Sequence, residues 1–168
     1  MPFTPYHWGP SLLIGLLLFP FLDLPCLIIA SVIVDIEPLV IMMQGGFPLH
    51  GFFHTYLGAT LAGLALIPIV YLLRNLFASI INLFGLKQPT SLVKISATSL
   101  IGTNFHVFLD SFLYSEMQPF FPLVANPFYG LLVSSQIYLF CIVSFIAAVP
   151  VYVFHVWRTW KSHDLMAH

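Results

Sequence analysis

The chain has 168 residues, 60% of them hydrophobic and 7% charged, with a net charge of −1 and a mean hydropathy of +0.98. Soluble domains carry about 25% charged residues, so this composition argues against a soluble fold and predicts one integral membrane domain over residues 1–168. With neither a basic patch nor a Gly-rich phosphate loop, no nucleic-acid partner is expected.

The first apolar run, Trp8 to Leu22, is interrupted by Pro20 and ends at Asp23-Leu24-Pro25. It is short against the roughly 20 residues that a span needs, which predicts a broken or partly re-entrant helix. No basic residue precedes Arg74, so no cleavable signal is expected. Asp23 before Pro25 suits a turn or helix cap. A second run, Cys26 to Met43, carries Asp35 and Glu37. Pro38 disfavours helix at the residue before it, so a kink or stop is expected at the acidic pair. Gln44-Gly45-Gly46 is a turn.

The third run, Gly51 to Leu73, offers Gly58 and Ala62 as a small-residue packing face. Residues 75–91 follow, with Leu76, Phe77, Ile80, Ile81, Leu83 and Phe84 spaced as on an amphipathic interfacial helix. After Pro89 a fourth run extends from Leu92 to Tyr114. A Phe- and Pro-rich loop spans 115–128, and a fifth run extends from Tyr129 to Trp157. The predicted fold is therefore an all-α, polytopic membrane bundle of about five transmembrane or partly re-entrant helices plus one interfacial helix. Cys26 and Cys141 lie in apolar runs and read as small buried hydrophobes.

All five cations, Arg74, Lys87, Lys94, Arg158 and Lys161, fall between the third and fourth runs or after the fifth. The positive-inside rule makes those two places cytoplasmic and the turn at 44–50 and the loop at 115–128 external. The expected location is a cell (inner) membrane, with several passes.

On that frame seven ligand-type residues gather toward the non-cytoplasmic side: His7, Asp35, Glu37, His50, His54, His106 and Asp110. At 1.5 Å rise per residue, Asp110 lies roughly 6 Å and His106 roughly 12 Å below the end of their run. Residues 1–73 contain no Lys or Arg, although carboxylates near hydrocarbon ordinarily pair with a cation. A metal ion is the simplest missing partner. His50/His54 and His106/Asp110 are each four residues apart, as two ligands on one helix face would be. Mixed imidazole and carboxylate ligands favour zinc first, with manganese or iron as alternatives, over magnesium or calcium. Seven candidates exceed what one tetrahedral ion takes, which leaves two ions, or one ion plus a general base, open. Glu116, just past the fourth run, is expected to be a solvated loop residue.

These residues resemble a family of membrane-bound metal-dependent hydrolases described in some bacteria as LexA-regulated inner-membrane proteins. That family shows an early His, a Pro-Asp-Ile-Asp type motif, a His-Arg-x-x-Thr-His-Ser type motif and a later His-x-x-x-Asp. Here the corresponding residues are His7, Val34-Asp35-Ile36-Glu37, His50-Gly51-Phe52-Phe53-His54-Thr55 and His106-Val107-Phe108-Leu109-Asp110. Gly51 stands where the family has Arg, Tyr56 where it has Ser, and Glu37 where it has Asp. The resemblance implies a membrane-embedded hydrolase that uses a metal-activated water on a lipid or other membrane-associated substrate. Asp35, His50, His54, His106 and Asp110 are the expected metal ligands, His7 a further one, and Glu37 a ligand or general base. Asp35 and Glu37 would thus carry catalysis. A membrane transport or substrate-binding component for a metal ion or vitamin is the competing expectation.

Overall fold

A computed structural model describes residues 5–164, and among these it is all helical. The α-helices are α1 (Trp8–Leu17), α2 (Leu24–Ala30), α3 (Ile36–Met43), α4 (Tyr56–Leu72), α5 (Arg74–Leu83), α6 (Leu92–Ser111) and α7 (Ser134–Asp164). Short 3-10 turns at Pro5–His7, Ile33–Asp35 and Phe52–His54 precede α1, α3 and α4.

Among the described residues, three stretches are long and apolar enough to cross a membrane: Leu24–Met43, Leu92–Ser111 and Ser134–Lys161. A fourth follows if Tyr56–Leu72 and Arg74–Leu83, which meet at a 75° bend, are taken as one broken span. The count is thus three or four where the sequence predicts about five. The difference lies chiefly at Trp8–Leu22, where α1 has 10 residues and gives way to a turn closed by bonds from Phe21 N and Leu22 N to the Leu18 carbonyl. Ten residues rise only about 15 Å, half a hydrocarbon core.

Packing follows from small residues and a polar seam. α1 lies against α7 through Gly9, where an added Cβ would come 2.2 Å from the Cys141 carbonyl oxygen. α4 lies against α6 through Gly63, where a Cβ would sit 2.9 Å from Thr103 Oγ1. Ser99 Oγ donates to the Gly63 carbonyl at 2.8 Å across that same contact, and Asn104 Nδ2 donates to Thr60 Oγ1 at 3.2 Å. In a membrane interior such bonds hold helices together where apolar contrast cannot. Gly58, expected on a helix-packing face, is needed for another reason. A Cβ there would stand 2.0 Å from the Phe52 carbonyl oxygen, so the glycine lets the preceding turn fold back on α4.

The five cations collect at one end. Arg74 sits at the α4–α5 bend, and Tyr152 Oη of α7 donates to the Phe84 carbonyl at 2.8 Å. Lys94 Nζ donates to the Phe19 and Pro89 carbonyls at 3.1 and 3.2 Å. Asp23 caps α2, accepting from Cys26 N at 3.1 Å, as its place before Pro25 predicts. The ligand-type residues lie at the opposite end of the bundle.

Candidate metal centre

Helix breaks deliver most of the site. α2 ends at Ala30, and in the following turn Asp35 N bonds to the Val32 carbonyl at 3.1 Å instead of reaching back to Ser31. Pro38 tolerates this because it falls in the first turn of α3, where no backbone donor is needed. The break leaves the Ser31 carbonyl free, and His106 Nδ1 donates to it at 2.6 Å. The same turn directs Asp35 inward, 2% exposed.

His54 closes the turn Phe52–His54, ahead of α4. Thr55 caps α4 by accepting from Gly58 N at 2.9 Å, and its hydroxyl donates to the Phe52 carbonyl at 2.8 Å. The expected pairing of His50 and His54 on one helix face is therefore not what the fold contains. Both precede α4, because Thr55 is extended and starts the helix after them. A bent loop still holds their rings 4.8 Å apart. His106 and Asp110 do share a face of α6, with Nε2 and Oδ2 3.3 Å apart.

Four of the seven candidates form one cluster. Asp35, His54, His106 and Asp110 each offer a ligand atom, and these atoms lie within 4.8 Å of one another. His106 Nε2 is 3.4 Å from Asp35 Oδ1, while His54 Nε2 is 3.7 Å from Asp35 Oδ1 and 3.9 Å from Asp110 Oδ2. Two ligands held about 2 Å from one tetrahedral ion stand roughly 3.3 Å apart, so these separations fit a single ion with little movement. Burial makes the fit compelling: His54 and His106 are 0% exposed and Asp110 2%. Yet His54 Nε2, His106 Nε2, Asp35 Oδ2 and Asp110 Oδ1 have no hydrogen-bond partner. Buried polar atoms are otherwise almost always paired, and a cation between the two Nε2 atoms and the carboxylate oxygens that face them, Asp35 Oδ1 and Asp110 Oδ2, would satisfy both imidazoles. The Asp35–His54–His106–Asp110 cluster can hold a metal ion.

The remaining candidates surround it. His7 Nε2 lies 3.0 Å from Asp110 Oδ1 but is not aligned for a hydrogen bond, and its ring stacks on His106 at 4.2 Å. Glu37 offers no atom to the four-atom cluster. Its carboxylate accepts from Gly51 N at 3.1 Å, Phe53 N at 3.0 Å and His54 Nδ1 at 3.0 Å. His50 Nδ1 donates to Glu116 Oε1 at 2.8 Å, and its ring stacks on Tyr114 at 3.8 Å. Burial, followed by the neighbouring His54, holds the His50 imidazole below its ordinary pKa of 6.5, which keeps it neutral.

The three imidazoles of His50, His54 and His106 therefore share one orientation logic. Each directs Nδ1 to an oxygen that only accepts, so the proton sits there and Nε2 keeps its lone pair. Oxygen partners of this kind are what orient metal-ligating histidines. Sequence reasoning left Glu116 as a solvated loop residue. Its side chain is 22% exposed and bound to His50, a pairing across 66 residues that no local pattern marks.

The loop beyond α6 packs under and beside the site. Tyr56 N donates to the Pro119 carbonyl at 2.9 Å, and Asn126 Nδ2 takes the Ser111 and Tyr114 carbonyls at 2.9 and 3.1 Å. Met117, 1% exposed, packs with Val34, Ala59 and Val107, of which Val34 and Val107 are the chain neighbours of Asp35 and His106.

Fold and site together define an all-helical chain, with helices compatible with a membrane and a buried His/Asp cluster able to bind a metal. No family model, curated protein or solved structure matches it.

Proposed function

We propose that the protein is a membrane-embedded metal-dependent hydrolase acting on a phosphoester of a lipid or another membrane-associated substrate. The observation that carries this reading is the set of four buried side chains whose ligand atoms lie within 4.8 Å of one another, with no hydrogen-bond partner on Nε2 of His54 or His106 and with Glu37 and the Ser31 carbonyl on their outer nitrogens.

Asp35, His54, His106 and Asp110 would hold one divalent ion, zinc in first place and manganese or iron after it. Such an ion supplies two things when bound, an acidified water and a polarised bond in the substrate. The chain's own residues do the rest. Glu37 and the Ser31 carbonyl fix the rings of His54 and His106, Tyr114 and Glu116 hold His50 beside His54, and the buried Met117 packs in one apolar cluster with Val107, the residue after His106. Glu37 thus supports the site as a positioning residue. His7, against Asp110, and His50, against His54, are the nearest side chains for a second ion or for orienting substrate. The positive-inside rule would turn this end away from the cytoplasm, at the depth of lipid head groups.

The test is elemental analysis of the purified protein and its Asp110→Ala variant, with hydrolysis measured on a phospholipid panel. We expect metal in the parent, its loss in the variant, and cleavage of a phosphoester by the parent alone. Unchanged metal content in the variant would overturn the ligand assignment. Metal-dependent uptake by proteoliposomes without cleavage of any substrate would favour transport instead.

A further inference from the structure

The break at Ile33–Asp35 has a second consequence. Beyond it α3 keeps little contact with α4, while α4 stays tightly packed on α6. The space left between α3 and α4 is a groove of about 470 Å³, walled by Val40 and Ile41 on one side and by Ala62, Ala65 and Ile69 on the other. Ala62 and Ala65 make that wall shallow in side-chain bulk and so give the groove its depth. From Ala62 to Ile69 it follows α4 for about 10 Å, within the length that would lie in hydrocarbon.

One end of this groove is not apolar. Glu37 lines it, as do Val34 and Phe53, the immediate neighbours of Asp35 and His54. None of the four cluster residues lines the groove; its link to the cluster is Glu37, which lines it and accepts from His54 Nδ1 at 3.0 Å. A second apolar cavity, of about 450 Å³ and lined by Leu16, Ile81 and Phe145 at the cation end, has no such polar terminus.

We propose that the α3–α4 groove is an acyl-chain site, seating one hydrocarbon chain of an amphiphile whose polar end lies at the Glu37–Phe53 mouth beside the metal centre. This rests on the hydrolase reading for its meaning, because it makes the substrate a long-chain lipid and not a soluble phosphoester. The chain in the groove and the ester at its mouth set the position of cleavage relative to the chain. Water in so apolar a slot would find few partners, whereas a methylene chain loses its own contact with solvent or bulk lipid at no polar cost.

The test uses the full chain in phosphatidylcholine–phosphatidylglycerol vesicles containing a phosphatidylcholine with a photoreactive diazirine in mid-chain. Labelling at Val40, Ala65 and Ile69 is expected in clear excess over Val143 and Ile146, which face outward on α7. Ala65→Phe, which fills the groove, is expected to abolish that excess; Ala62→Leu on the same wall serves if the first variant does not fold. Equal labelling of groove and α7 face overturns the proposal. A second arm compares hydrolysis of long-chain and short-chain water-soluble phosphoesters, with Ala65→Phe expected to lose the former and keep the latter. Excess groove labelling without hydrolysis of any ester sustains the acyl-chain site and removes the hydrolase. Hydrolysis with no difference between chain lengths in Ala65→Phe does the reverse.

Discussion

A Cβ placed on Gly51 would stand 2.8 Å from Glu37 Oε1 and 3.2 Å from its Cδ, so residues 37 and 51 compete for one volume. The long carboxylate at 37 and the missing side chain at 51 fit together in space: the Glu37 carboxylate reaches where a side chain at 51 would begin, and binds Gly51 N. Gly51→Ala should therefore displace Glu37 and loosen His54, while Gly51→Ala combined with Glu37→Asp should recover much of the loss. A double-mutant cycle on thermal stability should show coupling of about 0.5–3 kcal/mol; strict additivity would rule the competition out. Glu37→Gln tests the support of His54 directly. Losing a carboxylate behind a ligating histidine costs about 10–100-fold in metal affinity, measurable by competition with a chelating dye. His50 gives a pH prediction. Because burial lowers its pKa, its contribution to stability is complete above 6.5 and is lost as pH falls through its lower folded value. Nitrogen NMR of the labelled imidazole should find it less than half-protonated at pH 6.5, and half-protonation or more there would contradict the buried placement.

Among the helices, the starts matter more than the middles. Thr55 and Ser91 are both side-chain caps, accepting from Gly58 N at 2.9 Å and Lys94 N at 3.2 Å. Replacing either by Ala should cost about 1 kcal/mol of stability. Only Thr55 also ties down the turn that carries His54. Thr55→Ala is therefore expected to weaken metal binding and Ser91→Ala to leave it unchanged, a comparison that separates site geometry from general stability. The helix breaks explain why so short a chain can gather its four ligands from three places. A continuous helix would have spent the Ser31 carbonyl on its own ladder; the 3-10 turn releases it to His106 and turns Asp35 inward. The pre-proline Glu37 and the acidic pair made this break visible in the sequence. The turn at Phe52–His54 was not visible there, since an apolar run with a four-residue histidine spacing reads as helix when viewed locally.

For the molecule as a whole, charge and ligands divide between two ends, and metal should link the site to global stability. Anything that binds the folded chain alone raises its unfolding midpoint, by about 2.7 kcal/mol at a hundred times the dissociation constant. Zinc should thus raise the midpoint of the chelator-treated protein and leave Asp110→Ala unmoved, as scanning fluorimetry in detergent would record. The sequence by itself determined the apolar helical character, the gathering of Arg and Lys toward one end and of the seven ligand-type residues toward the other. Those properties follow from composition and from the order of residues along each run, which burial and charge act on locally. Only the tertiary structure decided how the roles divide. Asp35, His54, His106 and Asp110 face one centre, Glu37 stands behind His54, and Glu116 holds His50. The physical reason is that the two nitrogens of an imidazole are assigned by whichever oxygen arrives at Nδ1. Here those oxygens come from 17, 66 and 75 residues away, beyond the reach of any helical or turn pattern.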